Sequence, residues 1–262
     1  MKKFLLALAA VAAMTGAASA ADLGARPIAK APPPIIAPSW TGFYIFGGGG
    51  GGLWNADTTT QDTATGVCIL CANQRQGGSG WFGTVGAGYD WQVNPNWVFG
   101  VFGDGQFGDI RGTIQDQTPF WAGDEKLKTS WAAGVRIGYL VAPNVLSYVN
   151  GGYSGSNWSG TTLYSTFTGI PAGAHTNSFD RHGWFIGGGV ENNLNIFGIN
   201  SPGWFMKTEY RSAFYDRTAI TELSDATGLP VGRDITFKPW TQTISTSIVY
   251  RFNWTGPVVA KY

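Results

Sequence analysis

Apolar residues alternate with polar or small residues along most of this chain, and that alternation is the feature that most restricts its fold. From Trp40 onward the alternation has a period of two residues and is interrupted by short runs of Gly, Pro, Asn and Asp. Successive side chains of a β-strand point to opposite faces, so these runs predict strands and the interruptions predict turns. The chain also has 39 glycines among 262 residues, which disfavours helices. The sequence therefore predicts an all-β protein.

Eight runs are long enough to form strands. The pattern is clearest at 81–93, 130–141, 184–194 and 240–252, and further strands fit at 97–107, 145–156 and 204–215. The first run, 41–54, is apolar or Gly on both faces, so its register cannot be predicted.

The connections between these runs alternate in length. Short turns lie at 94–96, 142–144 and 200–203, and long polar segments, expected to be loops, lie at 55–78, 108–129, 157–181 and 216–238. Short turns on one side and long loops on the other are typical of bacterial outer-membrane barrels, which have an even number of strands. We expect an eight-stranded antiparallel up-and-down transmembrane β-barrel over 40–252, with both ends on the periplasmic side and the long segments outside the cell.

The charged residues indicate which face meets lipid. In the readable strands no charged residue shares a face with the tryptophans, and the opposite face carries Asp90, Asp104, Arg136, Glu191, Lys207, Glu209, Arg211 and Arg251. A soluble lipocalin-like barrel would have the reverse arrangement. A charge that faces hydrocarbon costs several kcal/mol, so the tryptophan face is expected to meet lipid. Eight strands enclose a lumen that side chains can just fill, and we expect these acids and bases to pair there.

Aromatic residues lie near both ends of the predicted strands, as in the interfacial girdles of membrane barrels. The expected girdle at the turn side contains Trp91, Trp97, Tyr139, Trp204, Tyr250 and Phe252, and the one at the loop side contains Trp54, Trp81, Trp131, Trp184 and Trp240.

The N-terminal residues predict export, and the regions that flank the predicted barrel are expected in the periplasm. Residues 1–20 have the basic start, short apolar run and Ala18-Ser19-Ala20 site of a cleavable signal peptide. Residues 21–39 are a Pro-rich periplasmic segment, interpreted as a spacer rather than a docking peptide, and 253–262 form a C-terminal periplasmic tail. The formal net charge of +1 gives no support for nucleic-acid binding.

Several short motifs, taken together in order, resemble a known group. They are Trp40-Thr41-Gly42-Phe43-Tyr44, Val98-Phe99-Gly100-Val101, Gly183-Trp184 with Gly187-Gly188-Gly189-Val190-Glu191, Lys207-Thr208-Glu209-Tyr210, and Val249-Tyr250-Arg251-Phe252. This set is similar to the small outer-membrane β-barrel surface proteins of alphaproteobacteria, within the OmpA-type transmembrane barrels. The resemblance implies an eight-stranded barrel in the Gram-negative outer membrane, an envelope or surface-antigen role, and no catalysis. It departs from the group at Phe102, where an acid is usual, and in the tail beyond Phe252.

Other candidate sites are weaker. Cys68 and Cys71 are the only cysteines, and a small loop disulfide is favoured over redox or metal chemistry because the protein is exported. His175 and His182 lie in or beside one predicted loop, with no readable catalytic set around them. We therefore expect no enzyme activity, no metal and no cofactor.

The leading functional hypothesis is a structural outer-membrane barrel that supports envelope integrity and makes surface contacts, with its lumen plugged by charged side chains. The alternative is a narrow porin, or a barrel that binds or transports a small ligand such as haem. Expected partners are outer-membrane lipid, lipopolysaccharide and the barrel-assembly machinery. Contacts with a host or with peptidoglycan are left open.

Overall fold

The computed structural model describes residues 39–199 and 201–252. The expected signal peptide, residues 21–38 of the Pro-rich segment and the tail at 253–262 lie outside the described residues. No helix in the described part of the chain is long and apolar enough to cross a membrane.

Within the described residues, eleven strands, all paired antiparallel, form one sheet. They are β1 (Gly42–Asp62), β2 (Cys68–Gln92), β3 (Trp97–Asp116), β4 (Trp121–Ala142), β5 (Val145–Trp158), β6 (Thr161–Ser165), β7 (Pro171–Thr176), β8 (Phe179–Asn193), β9 (Trp204–Tyr215), β10 (Thr218–Ser224) and β11 (Pro230–Arg251). A short 3₁₀ turn, Leu194–Phe197, follows β8.

Eight of these strands close into a ring, which confirms the predicted fold class. Its order is β1, β2, β3, β4, β5, β8, β9 and β11, and β11 pairs back onto β1 from Tyr44–Arg251 to Asp62–Arg233. The inward and outward alternation within the predicted strands follows the sequence pattern. On β4, for example, Val135 and Ile137 are exposed whereas Arg136 is buried.

The other three strands extend the barrel on the side of the long segments. There β4 pairs with β6 instead of β5, and β11 pairs with β10 instead of β9, while β7 joins β6 to β10. The upper ring therefore again contains eight strands: β1, β2, β3, β4, β6, β7, β10 and β11. We call this upper ring the extracellular extension, after the side of the membrane on which the sequence predicts these segments to lie.

The prediction of long loops is therefore wrong for most of 55–78, 108–129, 157–181 and 216–238. Backbone pairing continues through these segments, but polar side chains interrupt the apolar alternation in several stretches. Thr58 and Thr60 are buried inside β1, for example, while Thr59 between them bonds to Thr236 of the neighbouring strand. The apolar alternation that identifies a strand in sequence is absent, although the strand is present.

The glycine run of β1 sets its register. A Cβ on Gly48 or Gly50 would lie 2.1 or 2.0 Å from a carbonyl oxygen of β11, so the close approach of these two strands requires glycine at both positions. With this register Trp54 points inward and is fully buried, and its indole Nε1 donates to the carbonyl of Ile110 at 3.2 Å. The expectation that Trp54 belongs to the loop-side girdle is wrong, because six consecutive glycines conceal the face on which the strand emerges.

Candidate functional site: the charged lumen

The eight charged side chains expected in the lumen all point inward. Each belongs to a residue that is at most 8% exposed. Strands β2, β3, β4, β8 and β11 contribute one apiece, as Asp90, Asp104, Arg136, Glu191 and Arg251, and β9 contributes Lys207, Glu209 and Arg211. Because residues two apart share a face of a strand, the three β9 side chains form a vertical row.

Four of these side chains form a closed ring of ion pairs across the barrel. Arg136 donates from Nε to Asp90 at 2.9 Å and from Nη1 to Glu191 at 3.0 Å. Arg251 bonds Glu191 through Nε and Asp90 through Nη2, each at 2.8 Å. The ring occupies every second strand, namely β2, β4, β8 and β11. Acid and base therefore alternate around the lumen, and we call this set the four-residue ring.

The remaining four charges form a second cluster. Arg211 donates to both carboxylate oxygens of Asp104, at 2.9 and 2.7 Å, and also to Glu209 at 2.7 Å. Lys207 Nζ lies 3.7 Å from the other oxygen of Glu209. That oxygen also accepts hydrogen bonds from the hydroxyl of Tyr148 at 2.8 Å and the side-chain amide of Asn150 at 3.0 Å. Two acids again balance two bases.

Aromatic rings fill the space between the charges. The guanidinium of Arg136 lies 4.4 Å from the ring centre of Tyr44, and the ammonium of Lys207 lies 3.3 Å from that of Phe46. Arg211 lies over Phe185 at 4.7 Å and Phe102 at 5.7 Å. At position 102, where an acid is usual in the resembled group, this chain therefore has an aromatic ring beside Arg211. Such cation–π contacts stabilise charges that are removed from water.

Trp40 is buried at the turn-side end of the lumen and was not identified as a site residue from the sequence. It is 1% exposed, its indole donates to the carbonyl of Pro143 at 3.3 Å, and its own carbonyl accepts from Arg251 at 3.3 Å. Trp40 precedes the first strand, so alternation could not assign its direction. Tyr148 and Asn150 were also missed, although their spacing on the fifth predicted strand would place both on its inward face.

An apolar layer lies inside the barrel at the base of the extracellular extension. Trp54, Trp158 and Phe237 pack with their ring centres 5.2–5.7 Å apart. The same buried cluster includes Phe82, Ile110, Ile114, Leu127, Ile220 and Ile235. Buried aromatic side chains therefore lie on both sides of the lumen charges, with Trp40 toward the turns and this layer toward the extension.

Further buried acids lie inside the extracellular extension. Arg233 Nε lies 3.7 Å from Asp116 and 3.6 Å from Glu222, and Thr60 donates to Asp116 at 2.7 Å. Burial, together with the nearby Asp116 charge, raises the pKa of Glu222 to about 8. Burial also raises the pKa of Glu125 to about 8. The sequence did not distinguish these buried acids from the charged residues of a surface loop, because the surrounding segments lack the regular alternation that identifies a strand.

The girdle residues lie on the outer surface in two bands. At the turn side Trp91, Trp97, Tyr139, Trp204 and Phe252 are exposed and Tyr250 is half-buried. At the other side Trp81, Trp131 and Trp184 are exposed and Trp240 is half-buried. Edge contacts join neighbouring members such as Trp97 and Tyr139, whose ring centres are 5.3 Å apart.

The cysteines and histidines lie in the extracellular extension or at its base. Cys68 and Cys71 are joined as a disulfide at the start of β2. His175 Nδ1 lies 2.6 Å from Asp225, whereas His182 stacks on Tyr153 with ring centres 6.0 Å apart. Among the described residues, no group of three His, Cys, Asp or Glu side chains is arranged to hold a metal ion.

Comparison with known proteins agrees with this architecture. A relative described as the 31 kDa outer-membrane immunogenic protein of Brucella melitensis biotype 1 is 29% identical over 216 residues, covering 80% of this chain and 85% of the relative. The protein of the same description from Brucella suis biovar 1 gives the same values.

Two solved structures are similar at low sequence identity. The outer membrane protein OprG from Pseudomonas aeruginosa is 14% identical with a TM-score of 0.49, over 81% of this chain and 97% of OprG. Neisserial surface protein A is 13% identical with a TM-score of 0.40, over 82% of this chain and 99% of the other. These scores are too low to support an inference about this chain.

The family comparison covers nearly the whole chain. The family described as "Outer membrane protein beta-barrel domain" matches residues 4–255, which include every strand of the ring. This match, together with the closed eight-strand ring and the Brucella relatives, confirms the predicted family and location. The chain belongs to the outer membrane protein β-barrel family and is an integral protein of the Gram-negative outer membrane.

Proposed function

We propose that this protein is a closed, structural barrel of the outer membrane that supports envelope integrity and presents its extracellular extension for surface contacts. The observation that carries the proposal is the four-residue ring, in which Asp90, Arg136, Glu191 and Arg251 bond to one another across the lumen. An ion that passed this level would have to break pairs whose members are almost completely buried.

The energetics of the ring favour a plug over a pore. Separating a buried ion pair leaves a charge without a partner in a poorly solvated site, which typically costs about 3–5 kcal/mol. The lumen contains equal numbers of acidic and basic side chains, so it has no net charge that would attract an ion of either sign. Trp40 at one end and the layer around Trp54 at the other add side-chain packing above and below the charges.

We also propose that the barrel is not catalytic. Acid–base catalysis needs an acid or base near a nucleophile, in a site that substrate can enter. The lumen acids are engaged with arginine or lysine, and His175 is engaged with Asp225. These pairings support a structural use of the charged residues.

The extracellular extension is the part we propose for surface contacts. The Brucella relatives are described as immunogenic outer-membrane proteins, and a surface-antigen role for this chain follows as a proposal from that similarity. The turns of the extension expose large apolar side chains, including Val67, Phe120, Phe167 and Leu229.

Ion conduction by the purified full-length barrel in planar lipid bilayers tests the proposal. The wild-type protein is expected to give no steady conductance, while a large porin in the same bilayer serves as the positive control. Circular dichroism of the same preparation checks that strands are present. Steady single-channel currents from the folded wild-type protein would overturn the plug and favour the narrow-pore alternative.

A further inference from the structure

Three basic side chains meet on the outer surface of the barrel, beside the loop-side girdle. Arg111 on β3 lies directly opposite Lys126 on β4, and Lys128 follows two residues along β4 toward the membrane. Asp109 forms an ion pair with Arg111, and its carboxylate also lies 3.3 Å from Lys126 Nζ. We call Arg111, Lys126 and Lys128 the basic cluster.

A β-bulge turns the two lysines outward. The β3–β4 and β4–β5 registers both shift around Lys128, between Phe107 and Ile110 on one side and between Leu127 and Thr129 on the other. On the membrane side of the bulge the even-numbered residues of β4, such as Ala132 and Arg136, face the lumen. On the side of the extension the odd-numbered residues Leu127 and Glu125 face inward instead. Without the bulge Lys126 and Lys128 would point into the barrel. Bulges commonly re-aim side chains in this way.

The position of the basic cluster matches the headgroup level of the outer leaflet. Trp81, a girdle residue, lies directly opposite Asp109 across β2 and β3. Trp131 lies three residues below Lys128 on β4. Girdle tryptophans sit at the level of lipid headgroups, so the basic side chains just beyond them reach the level of headgroup phosphates.

The lipid-facing surface below the basic cluster has room for an acyl chain. Ala87, Gly103 and Ala133 lie opposite one another on three neighbouring strands, and a Cβ on Gly103 would meet only the carbonyl oxygen of Ala132, at 3.7 Å. Trp131, opposite Gly105, borders this shallow surface on its upper side. A basic cluster above a shallow apolar surface suits an anionic lipid better than a soluble anion.

We propose that the outer face of β3 and β4 is a binding site for a phosphorylated glycolipid of the outer leaflet, with Arg111, Lys126 and Lys128 bonding its phosphates. Arginine and lysine form strong, charge-assisted hydrogen bonds with phosphate. The nearby acids are Asp109, which pairs with Arg111 and Lys126, and Asp124, whose charge acts on Arg111, so three bases outnumber two acids. The proposal rests on the outer-membrane location and does not depend on whether the lumen is closed.

A matched pair of double variants tests the site. Lys126→Gln with Lys128→Gln removes two positive charges from the basic cluster. Arg75→Gln with Lys238→Gln removes two from another outward group, in which both bases lie opposite Asp57 and Arg75 contacts the ring of Trp240 at 5.3 Å. Circular dichroism of each purified full-length variant shows that its strands are retained.

Binding is measured by native mass spectrometry of the detergent-solubilised barrel with lipid A carrying two phosphates, lipid A without phosphates, and phosphatidylglycerol. We expect the diphosphorylated glycolipid to bind the wild type and the control variant, and to bind the cluster variant at least about tenfold more weakly, because two charge-assisted hydrogen-bond donors to phosphate are lost.

Other outcomes would overturn the proposal. Equal loss in both double variants would mean that general charge, not this site, governs binding. Equal affinity for phosphatidylglycerol or for dephosphorylated lipid A would refute recognition of a phosphorylated glycolipid. Displacement of the glycolipid by an equal concentration of inorganic pyrophosphate would assign the site to free phosphate instead.

Discussion

The guanidinium of Arg211 crosses the barrel to Asp104 and bonds both of its carboxylate oxygens, at 2.9 and 2.7 Å. Their strands, β9 and β3, are four places apart in a ring of eight and thus lie on opposite sides. Backbone hydrogen bonds join only neighbouring strands, so this pair fixes a distance across the lumen that the sheet itself does not. The four-residue ring does the same at a second level.

A double-mutant cycle measures this coupling. Asp104→Ala and Arg211→Ala should each lower the free energy of unfolding by about 3–5 kcal/mol, because each breaks a buried bidentate pair and leaves the other charge without those two bonds. The double variant should lose much less than the sum, since neither charge then remains. Urea unfolding of the barrel in lipid vesicles gives the three values. Additive losses would show that the two groups do not stabilise one another.

Glu209 allows a comparison with its immediate neighbour in the chain. Glu209 is buried and bonds Arg211, Tyr148 and Asn150, whereas the side chain of Thr208 faces outward and its hydroxyl lies 3.2 Å from that of Thr246 in the same sheet. Glu209→Ala should therefore destabilise the barrel by about 3–5 kcal/mol. Thr208→Ala should cost about 1 kcal/mol or less. The denaturant midpoints of the two variants measure this difference in stability. Equal midpoints would contradict ion pairing of Glu209 in the lumen.

The membrane-spanning part of the fold could be read from the sequence because lipid and lumen impose opposite demands on alternate residues. On β4 the contrast between Val135 and Arg136 is enough to assign both faces. The pairing partners could not be predicted, since Arg211 meets Asp104 only through barrel closure, which brings distant strands face to face.

The extracellular extension could not be read in the same way. Polar residues occupy both faces of the strand in several stretches, so Thr58, Thr59 and Thr60, for example, give no signal of the strand they form. A single bulge at Lys128 also reverses the faces of the preceding residues of β4 relative to the alternation of the membrane-spanning part. An inserted residue of this kind cannot be detected from the sequence where apolar and polar residues do not alternate.

The topology predicts where a protease added to intact cells will cut. The extracellular segments are mostly strands, so cleavage should be confined to their turns at 63–67, 117–120, 166–170 and 225–229 rather than spread through each segment. Proteinase K suits the test because Val67, Phe120, Phe167 and Leu229 are exposed there. Mass spectrometry of the fragments identifies the sites. Cleavage of intact cells at 93–96 or 143–144 would contradict the orientation, whereas cleavage there only after cell lysis would support it.

The buried acids of the extracellular extension predict that its stability falls as pH rises. The pKa of Glu125 is about 8 in the folded protein, against 4.5 ordinarily, because burial disfavours the carboxylate. The folded state therefore binds more protons than the unfolded state between these values. The stabilising effect of the neutral acid is fully present below about pH 4.5 and is lost as pH rises through about 8. Glu222 behaves in the same direction for the same reason, with a contribution from the Asp116 charge.

Glu125→Gln isolates this effect, because the amide keeps the shape of the side chain and removes its titration. Hydrogen exchange of the β4 and β6 amides at pH 6 and pH 9 reports local opening of the extension after correction for the intrinsic exchange rate. We expect protection in the wild type to fall between pH 6 and pH 9, with a Glu125 contribution of at most about 3 kcal/mol, because about two pH units separate pH 6 from the pKa of about 8 and each corresponds to about 1.4 kcal/mol. The variant should show a smaller fall. Asp124→Asn, an exposed change at the preceding residue, should leave the pH dependence as in the wild type. An equal fall in wild type and Glu125→Gln would show that this carboxyl group is not the titrating group, because its removal would then have left the pH response intact.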